Sequence, residues 1–203
     1  MGELPWPAIF SWLGTLSLAV ALAAAAGLRA WLPLLVAGVA ARLGIAELGA
    51  SFAWLGSWPA LALLGGATVL EIAGDKVPVV DHALDAVGTF LRPLAGALAV
   101  AATLVHVDDP LIALVVGLVL GAPVALAPHV AKSTLRGAST GTTAGLANPL
   151  LSVMEDGVSL LVAVLAVVVP VLALLLLAVA AWLTWRWLRR RTRHGPRGAG
   201  AAS

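Results

Sequence analysis

Apolar residues run along this chain in blocks too long for strands and too continuous for one-sided helices. The first block covers about 9–27. A membrane-spanning helix needs about 20 mainly apolar residues, and this block supplies them. It meets Arg29 and Pro33, after which apolar sequence resumes to about Ala41. The pattern predicts either one long kinked helix or a second short segment. Residues 44–57 read as a loop or interfacial helix, with Trp54 and Trp58 as interface anchors. Further spans are expected over 59–73, 86–105 and 111–127. A last one follows Glu155 and Asp156 and runs to about Leu183. Between them, 75–85 reads as a polar connection and 106–110 as a tight polar turn.

Residues 128–148 break this pattern with Ser133, Thr134, Ser139, Thr140, Thr142 and Thr143. The stretch is too polar to face lipid and too poor in charge for a disordered loop. If it is helical, His129, Lys132, Arg136, Thr140 and Thr143 fall at steps of three and four and form one polar stripe. Gly137, Gly141 and Gly145 then repeat on a neighbouring face and would let another backbone approach closely. The segment reads as a tightly packed, re-entrant element. Gly117 and Gly121, continued by Ala125, read as close helix packing rather than a dimer face, with a homo-oligomer left open. Gly74–Val77 also echoes Glu155–Val158, a weak internal repeat of the kind transporters carry.

The expected fold is therefore all-α: a polytopic bundle of about five spanning helices with broken or re-entrant segments. Residues 1–185 form one transmembrane domain, and 186–203 a basic cytoplasmic tail expected to be disordered. Composition agrees. The 203 residues are 61% hydrophobic and only 11% charged, with mean hydropathy +1.03. Soluble domains carry about 25% charged residues, so a soluble fold is excluded, and so is intrinsic disorder. Long Ala, Leu and Val runs suit helices rather than barrel strands. Without cysteine there are no disulfides, thiolate metal sites or cysteine nucleophiles.

Charge adds orientation. The net charge is +2, but six of the twelve Lys and Arg residues lie between Arg186 and Arg197. Arginines directly behind an apolar helix are a topology signal, not a nucleic-acid patch, and place the C-terminus in the cytoplasm. No Lys or Arg precedes Arg29, so the N-terminus is expected outside. With five crossings, 75–85 and 128–148 share the outer side of a plasma or inner membrane. The start lacks a positive n-region and a cleavage signature, and reads as a retained helix.

The informative residues are the charges left at or near membrane depth. One such charge costs about 2.5–3.5 kcal/mol at a helix centre, and it is rarely kept without compensation. The basic set is Arg29, Lys76, Arg92, Lys132 and Arg136. The acidic set is Glu71, Asp75, Asp81, Asp85, Glu155 and Asp156, with His82 and His129 as titratable rings. The near balance fits pairing in a shared polar interior. Glu71 and Asp75 are four apart on one helical face. Like charges there repel unless a cation intervenes or one is protonated.

Several chemistries follow. Asp81, His82 and Asp85 offer metal-ligand types, but their spacing matches no strong metal signature and better suits a solvated connecting loop. Glu71 with Asp75 suits a hard cation or a proton relay, or plain ion pairing with a base. The basic–hydroxyl stripe suits an anion or a lipid phosphate. Lys132 and Ser133 diverge by about 100° on a helix and make no nucleophile pair. No GxSxG, HExxH, P-loop or GxGxxG motif is present, so no cofactor is expected and an enzyme is disfavoured.

The lead expectation is a transporter or channel for a small ion or solute. Arg29, Glu71, Asp75, Lys76, Asp81, Asp85, His129, Lys132, Arg136, Glu155 and Asp156 form its binding set. Glu71, Asp75 and Asp156 are the cation or proton sites, and Lys76, Lys132 and Arg136 the counter-charges or anion contacts. The alternatives are a lipid-headgroup binder and a non-catalytic scaffold subunit. Partners are membrane lipids and no nucleic acid.

The segments Ala26–Pro33 (AGLRAWLP) and Glu71–Asp81 (EIAGDKVPVVD) resemble the motifs of an uncharacterised bacterial membrane family, domain-of-unknown-function family 4126. Its members carry a Gly-Leu-Arg-Ala segment and a Glu…Asp-Lys-Ile/Val-Pro…Asp segment. They also carry a Lys…Thr/Ser…Arg stretch, here Lys132, Thr134 and Arg136, and a Glu-Asp pair, here Glu155 and Asp156. Trp31 stands where the family has a Tyr- or Phe-like residue. The resemblance covers about 16–180. It implies a shared membrane fold and polar centre, and it brings no activity with it.

Overall fold

Proline decides where most of the helices begin. Its ring fixes φ and its missing N–H costs nothing in the first turn, where that donor has no helical partner anyway. The computed structural model describes residues 6–193, apart from the side chains of 6–8, 78, 79, 81, 82, 188 and 191–193. Those residues form α1 (Trp6–Leu28), α2 (Leu32–Arg42), a 3-10 turn (Ala50–Gly56), α3 (Trp58–Gly74), α4 (Pro78–Thr103), α5 (Pro110–Thr143), α6 (Asn148–Val168) and α7 (Pro170–Arg193). Pro33, Pro59, Pro78, Pro110, Pro149 and Pro170 all lie in the first two positions of a helix. Two starts are also capped: Ser57 accepts from the Ala60 N–H, and Asp109 from those of Leu111 and Ile112.

Five helices are long and apolar enough to cross a membrane, over 9–28, 83–103, 110–143, 148–168 and 170–187. The chain is a multi-pass, all-helical membrane protein. The number agrees with the sequence pattern, but the members differ. The 3-10 turn and α3 make a pair bent by 64°, so 59–73 is not a simple crossing. The single last span is two helices, interrupted at Val169 before Pro170. The expected sidedness of 75–85 and 128–148 rested on that single span.

Two polar stretches are more helical than their composition suggests. Only 75–77 connect α3 to α4, so Asp81 and Asp85 lie within the first turns of α4. Residues 128–143 continue α5 rather than forming a separate re-entrant element. Pro123 and Pro128 are absorbed inside it, as membrane helices permit when neighbours and local adjustments re-satisfy the backbone. At about 1.5 Å per residue, α5 is about 50 Å long, well beyond an apolar core of about 30 Å. It stops where Ala144 and Gly145 turn left-handed (φ 52° and 82°). Of the tail expected over 186–203, residues 186–193 continue α7 as helix, and 194–203 lie outside the described residues.

The core is a seam of small residues between α1, α4 and α5. A Cβ on Gly27 would overlap the Ala125 carbonyl, one on Gly117 that of Ala97, and one on Gly121 that of Gly96. Backbone thus lies directly on backbone, as small residues allow. The close packing expected of Gly117, Gly121 and Ala125 is made within the chain. Gly137 and Gly141 are the opposite case: among the described residues nothing lies within 4 Å of a Cβ at either. Spacing alone did not bring a partner to that face. The segments 74–77 and 155–158, similar in sequence, differ locally: one ends α3 and turns into α4, the other lies inside α6.

Candidate functional site

The α1–α2 break places Arg29 where a helix end leaves its side chain free to turn inward. Its N–H still closes the last turn onto Ala25, while its guanidinium is fully buried. One nitrogen pairs with the Asp75 carboxylate. The other donates to the Ser152 hydroxyl (3.0 Å) and carbonyl (3.3 Å), and meets Asp156 at 2.6 Å. Asp75 is available because it caps the end of α3. Ser152 and Asp156 reach Arg29 because they lie four apart on one face of α6.

Glu71, in the last turn of α3, serves the same break from the other side. It accepts from the N–H groups of Ala30 (3.1 Å) and Trp31 (3.4 Å). Those donors precede α2 and have no helical acceptor. A carboxylate there also meets the positive end of the α2 dipole.

From α5, Lys132 and Arg136 enter the same space, one turn apart. Lys132 Nζ lies 2.9 Å from Glu155, 3.4 Å from Asp75 and 3.7 Å from Asp85. Arg136 grips Glu155 with two nitrogens at 3.1 and 2.8 Å. It also reaches Asp75 at 3.1 Å and Asp85 at 3.6 Å. Arg92 of α4 lies 3.4 Å from Asp85 and 3.8 Å from Glu71. Lys76, the most exposed cation of the set, bridges the Ile72 carbonyl and Asp156. Among the described side chains, five bases and five acids form one connected network.

His129 continues it. Arg92 has no acceptor to offer, so its contact of 2.6 Å with His129 Nδ1 makes Nδ1 the acceptor. Nε2 then carries the proton and donates to the Thr89 hydroxyl at 3.2 Å. Thr89 donates onward to the Asp85 carbonyl. The result is a directed chain from α4 through α5 and back.

Burial alone would push the Asp75 carboxyl upward. Lys132, Arg29 and Arg136 outweigh that effect and hold it below its ordinary value of 3.8. Only Oδ2 is used by those cations. Oδ1 is buried without a hydrogen-bond donor among the described residues. Beside the network, between α3, the start of α4 and the α1–α2 turn, lies an apolar cavity of about 520 Å³ with Glu71 on its wall.

The structure brings together Arg29, Glu71, Asp75, Lys76, Asp85, His129, Lys132, Arg136, Glu155 and Asp156. Asp81, like His82, lies outside the described side chains. The stripe on α5 is real for His129, Lys132 and Arg136, which are buried, while Thr140 and Thr143 are exposed. Among the described residues Glu71 and Asp75 have different partners: Arg92 and the Ala30 and Trp31 N–H groups for one, Arg29, Lys132 and Arg136 for the other. Among the described residues no three His, Asp or Glu side chains group as metal ligands. The expected binding set left out Arg92, Ser152 and Thr89. Arg92 stands out in the sequence by its cost inside an apolar helix, but nothing local ties it to the other charges. Ser152 is an ordinary helix residue until Arg29 is placed against it.

A family model described as a domain of unknown function, DUF4126, matches residues 16–190. No curated protein and no solved structure matches the chain.

Proposed function

The chain belongs to the DUF4126 family, and we propose that this multi-pass membrane protein moves a small ion or solute, with the charge network as its binding centre. One observation carries the reading: each buried cation faces more than one carboxylate. Arg29 has Asp75, Glu155 and Asp156, while Lys132 and Arg136 each have Asp75, Asp85 and Glu155. Partners can be exchanged without exposing a bare charge, which alternating access requires of a buried centre. The network also gathers at the α1–α2 break and the α3–α4 turn, and interrupted helices are where transporters place their sites. On this reading the basic end of α7 faces the cytoplasm of a plasma membrane. Arg186 and Arg189 over the rings of Trp182 and Trp185 support an interfacial position.

The cysteine-free chain allows a direct test. Single cysteines at positions 75, 85, 132, 136 and 156 are labelled in membranes with an impermeant thiol reagent from either side. Transport predicts labelling at several of them, with accessibility that changes sides as pH or ions change. Uniform protection in folded protein sinks the reading and leaves the ion pairs as helix clamps in a scaffold.

The apolar cavity beside Glu71 favours one second reading, a lipid-handling protein whose acyl chain lies in the cavity while Lys132 and Arg136 hold the headgroup. That reading predicts an anionic lipid that co-purifies with the protein and is lost in Arg136→Ala.

A further inference from the structure

The network is layered by depth. The side chains of Arg29, Lys132 and Arg136 are 0%, 1% and 5% exposed, and their shared partner Asp75 is 0% exposed. Glu155 is 12% exposed. Its two oxygens are held by Arg136 at 3.1 and 2.8 Å and by Lys132 at 2.9 Å, with Arg29 at 4.0 Å. Three cations from two elements thus converge on one oxyanion. Arginine's planar fork gives that grip its geometry. The cations are fixed from behind by Asp75, and of the carboxylates in front Glu155 is the one that all three reach, so it is the exchangeable part. Another oxyanion matches the two-pronged contact that a carboxylate makes in that position.

We propose that the Arg29–Lys132–Arg136 cradle binds a small oxyanion group, a carboxylate carrying a neighbouring hydroxyl, in place of Glu155, together with one proton. The proton comes from solvent and neutralises the Glu155 carboxylate as the ligand takes over its contacts. One negative charge leaves the cradle and one enters, so its net charge is unchanged. That balance matters, because an uncompensated charge in a dry site costs several kcal/mol. The other charged or titratable groups facing this space are Asp85 of α4, which also reaches Lys132 and Arg136, Arg92 of α4, which pairs with Asp85, His129 of α5, whose ring accepts from Arg92, and Asp156 of α6, which pairs with Arg29 and Lys76. All keep these partners in the exchange. The hydroxyl has an acceptor waiting: Asp75 Oδ1 is buried and lacks a donor among the described residues. The proposal rests on the transport reading for its purpose, but binding can be measured without transport.

The probe is lactate, which stays ionised between about pH 5.5 and 8 and carries the required hydroxyl. Its binding to the full purified chain is measured by calorimetry, with chloride at equal ionic strength as control. Wild type should bind lactate about tenfold more tightly for each unit the pH falls, the signature of one proton taken up per ligand. Glu155→Gln, which mimics the protonated carboxyl, should bind at least about tenfold more tightly than wild type near pH 7.5 and lose the pH dependence. Wild-type binding that ignores pH, or lactate no better than chloride, overturns the proposal. So does a folded Glu155→Gln protein that binds no more tightly. Should that variant not fold, the wild-type slope decides alone. Cysteine accessibility separates the two claims. Switching accessibility without lactate binding leaves transport standing and removes the oxyanion. Coupled lactate binding with every position protected keeps the cradle and removes transport.

Discussion

Two layers of one bundle solve the packing problem in opposite ways. In the seam, Gly27, Gly96, Gly117 and Gly121 bring backbones of α1, α4 and α5 into direct contact. Beyond the seam, Arg29, Arg92, Lys132 and Arg136 hold the chain together through long side chains. The seam has one arrangement, since a carbonyl against a missing Cβ leaves no slack. The network has several, since each cation has a second carboxylate in reach. Rigidity and adaptability therefore sit side by side, and the adaptable layer is the one placed at the helix breaks.

The sharpest way to break that contrast is Arg29→Ala. Arg29 is the fully buried cation that ties Asp75 of the α3 end to Ser152 and Asp156 of α6, and Ser152 has no other cation beside it among the described residues. Removing one partner from a buried set costs about 3–5 kcal/mol. Unfolding followed by tryptophan fluorescence should show that loss, and a cost under about 1 kcal/mol would mean that the network redistributes even here. The same cluster sets the acid limit. Because the Asp75 carboxyl is held below 3.8, its contribution is fully present above about pH 4. It is lost only as pH falls through the lowered folded value. An acid titration of Asp75→Asn should lack that final transition, whereas a wild-type profile that shows none either contradicts the assignment.

Gly121→Ala tests the other layer. Its Cβ would overlap the Gly96 carbonyl, and such overpacking costs about 1–3 kcal/mol. A neutral result would show that the seam can slide. Asp85→Asn sharpens the comparison from within the network. Arg92, Lys132 and Arg136 each keep another carboxylate, so the expected cost is about 1 kcal/mol or less. A loss as large as that of Arg29→Ala would show that partner exchange is not available. The smallest effect is a gain. Gly137→Ala meets no neighbour, and replacing glycine within a helix stabilises it by roughly 0.5–1 kcal/mol. Destabilisation would reveal an intermolecular partner on that face.

Particular residues show what could be read beforehand. Arg29, Lys132 and Arg136 were visible because a buried charge is expensive whatever its surroundings. The stripe of His129, Lys132 and Arg136 was visible because helical spacing is local. The continuation of α5 through Pro128 was not, since proline is read as a stop when its neighbours are unknown. Gly137 and Gly141 carried the same spacing signal as Gly117 and Gly121, and only the second pair has a backbone opposite. Ser152 had no signal at all.

The sequence by itself determined the solvent and the materials: long apolar helices for a membrane, prolines to start them, and an inventory of charges that lipid could not tolerate singly. These are local properties, set by the cost of each residue in its own segment. Tertiary structure alone decided which charge meets which and which small-residue face is covered. It also decided which carboxylate, Asp75, stands at the centre while Glu155 stays nearer the surface. Pairing across 46 residues, as between Arg29 and Asp75, depends on where α1, α3, α5 and α6 end relative to one another, and no window of sequence contains that distance.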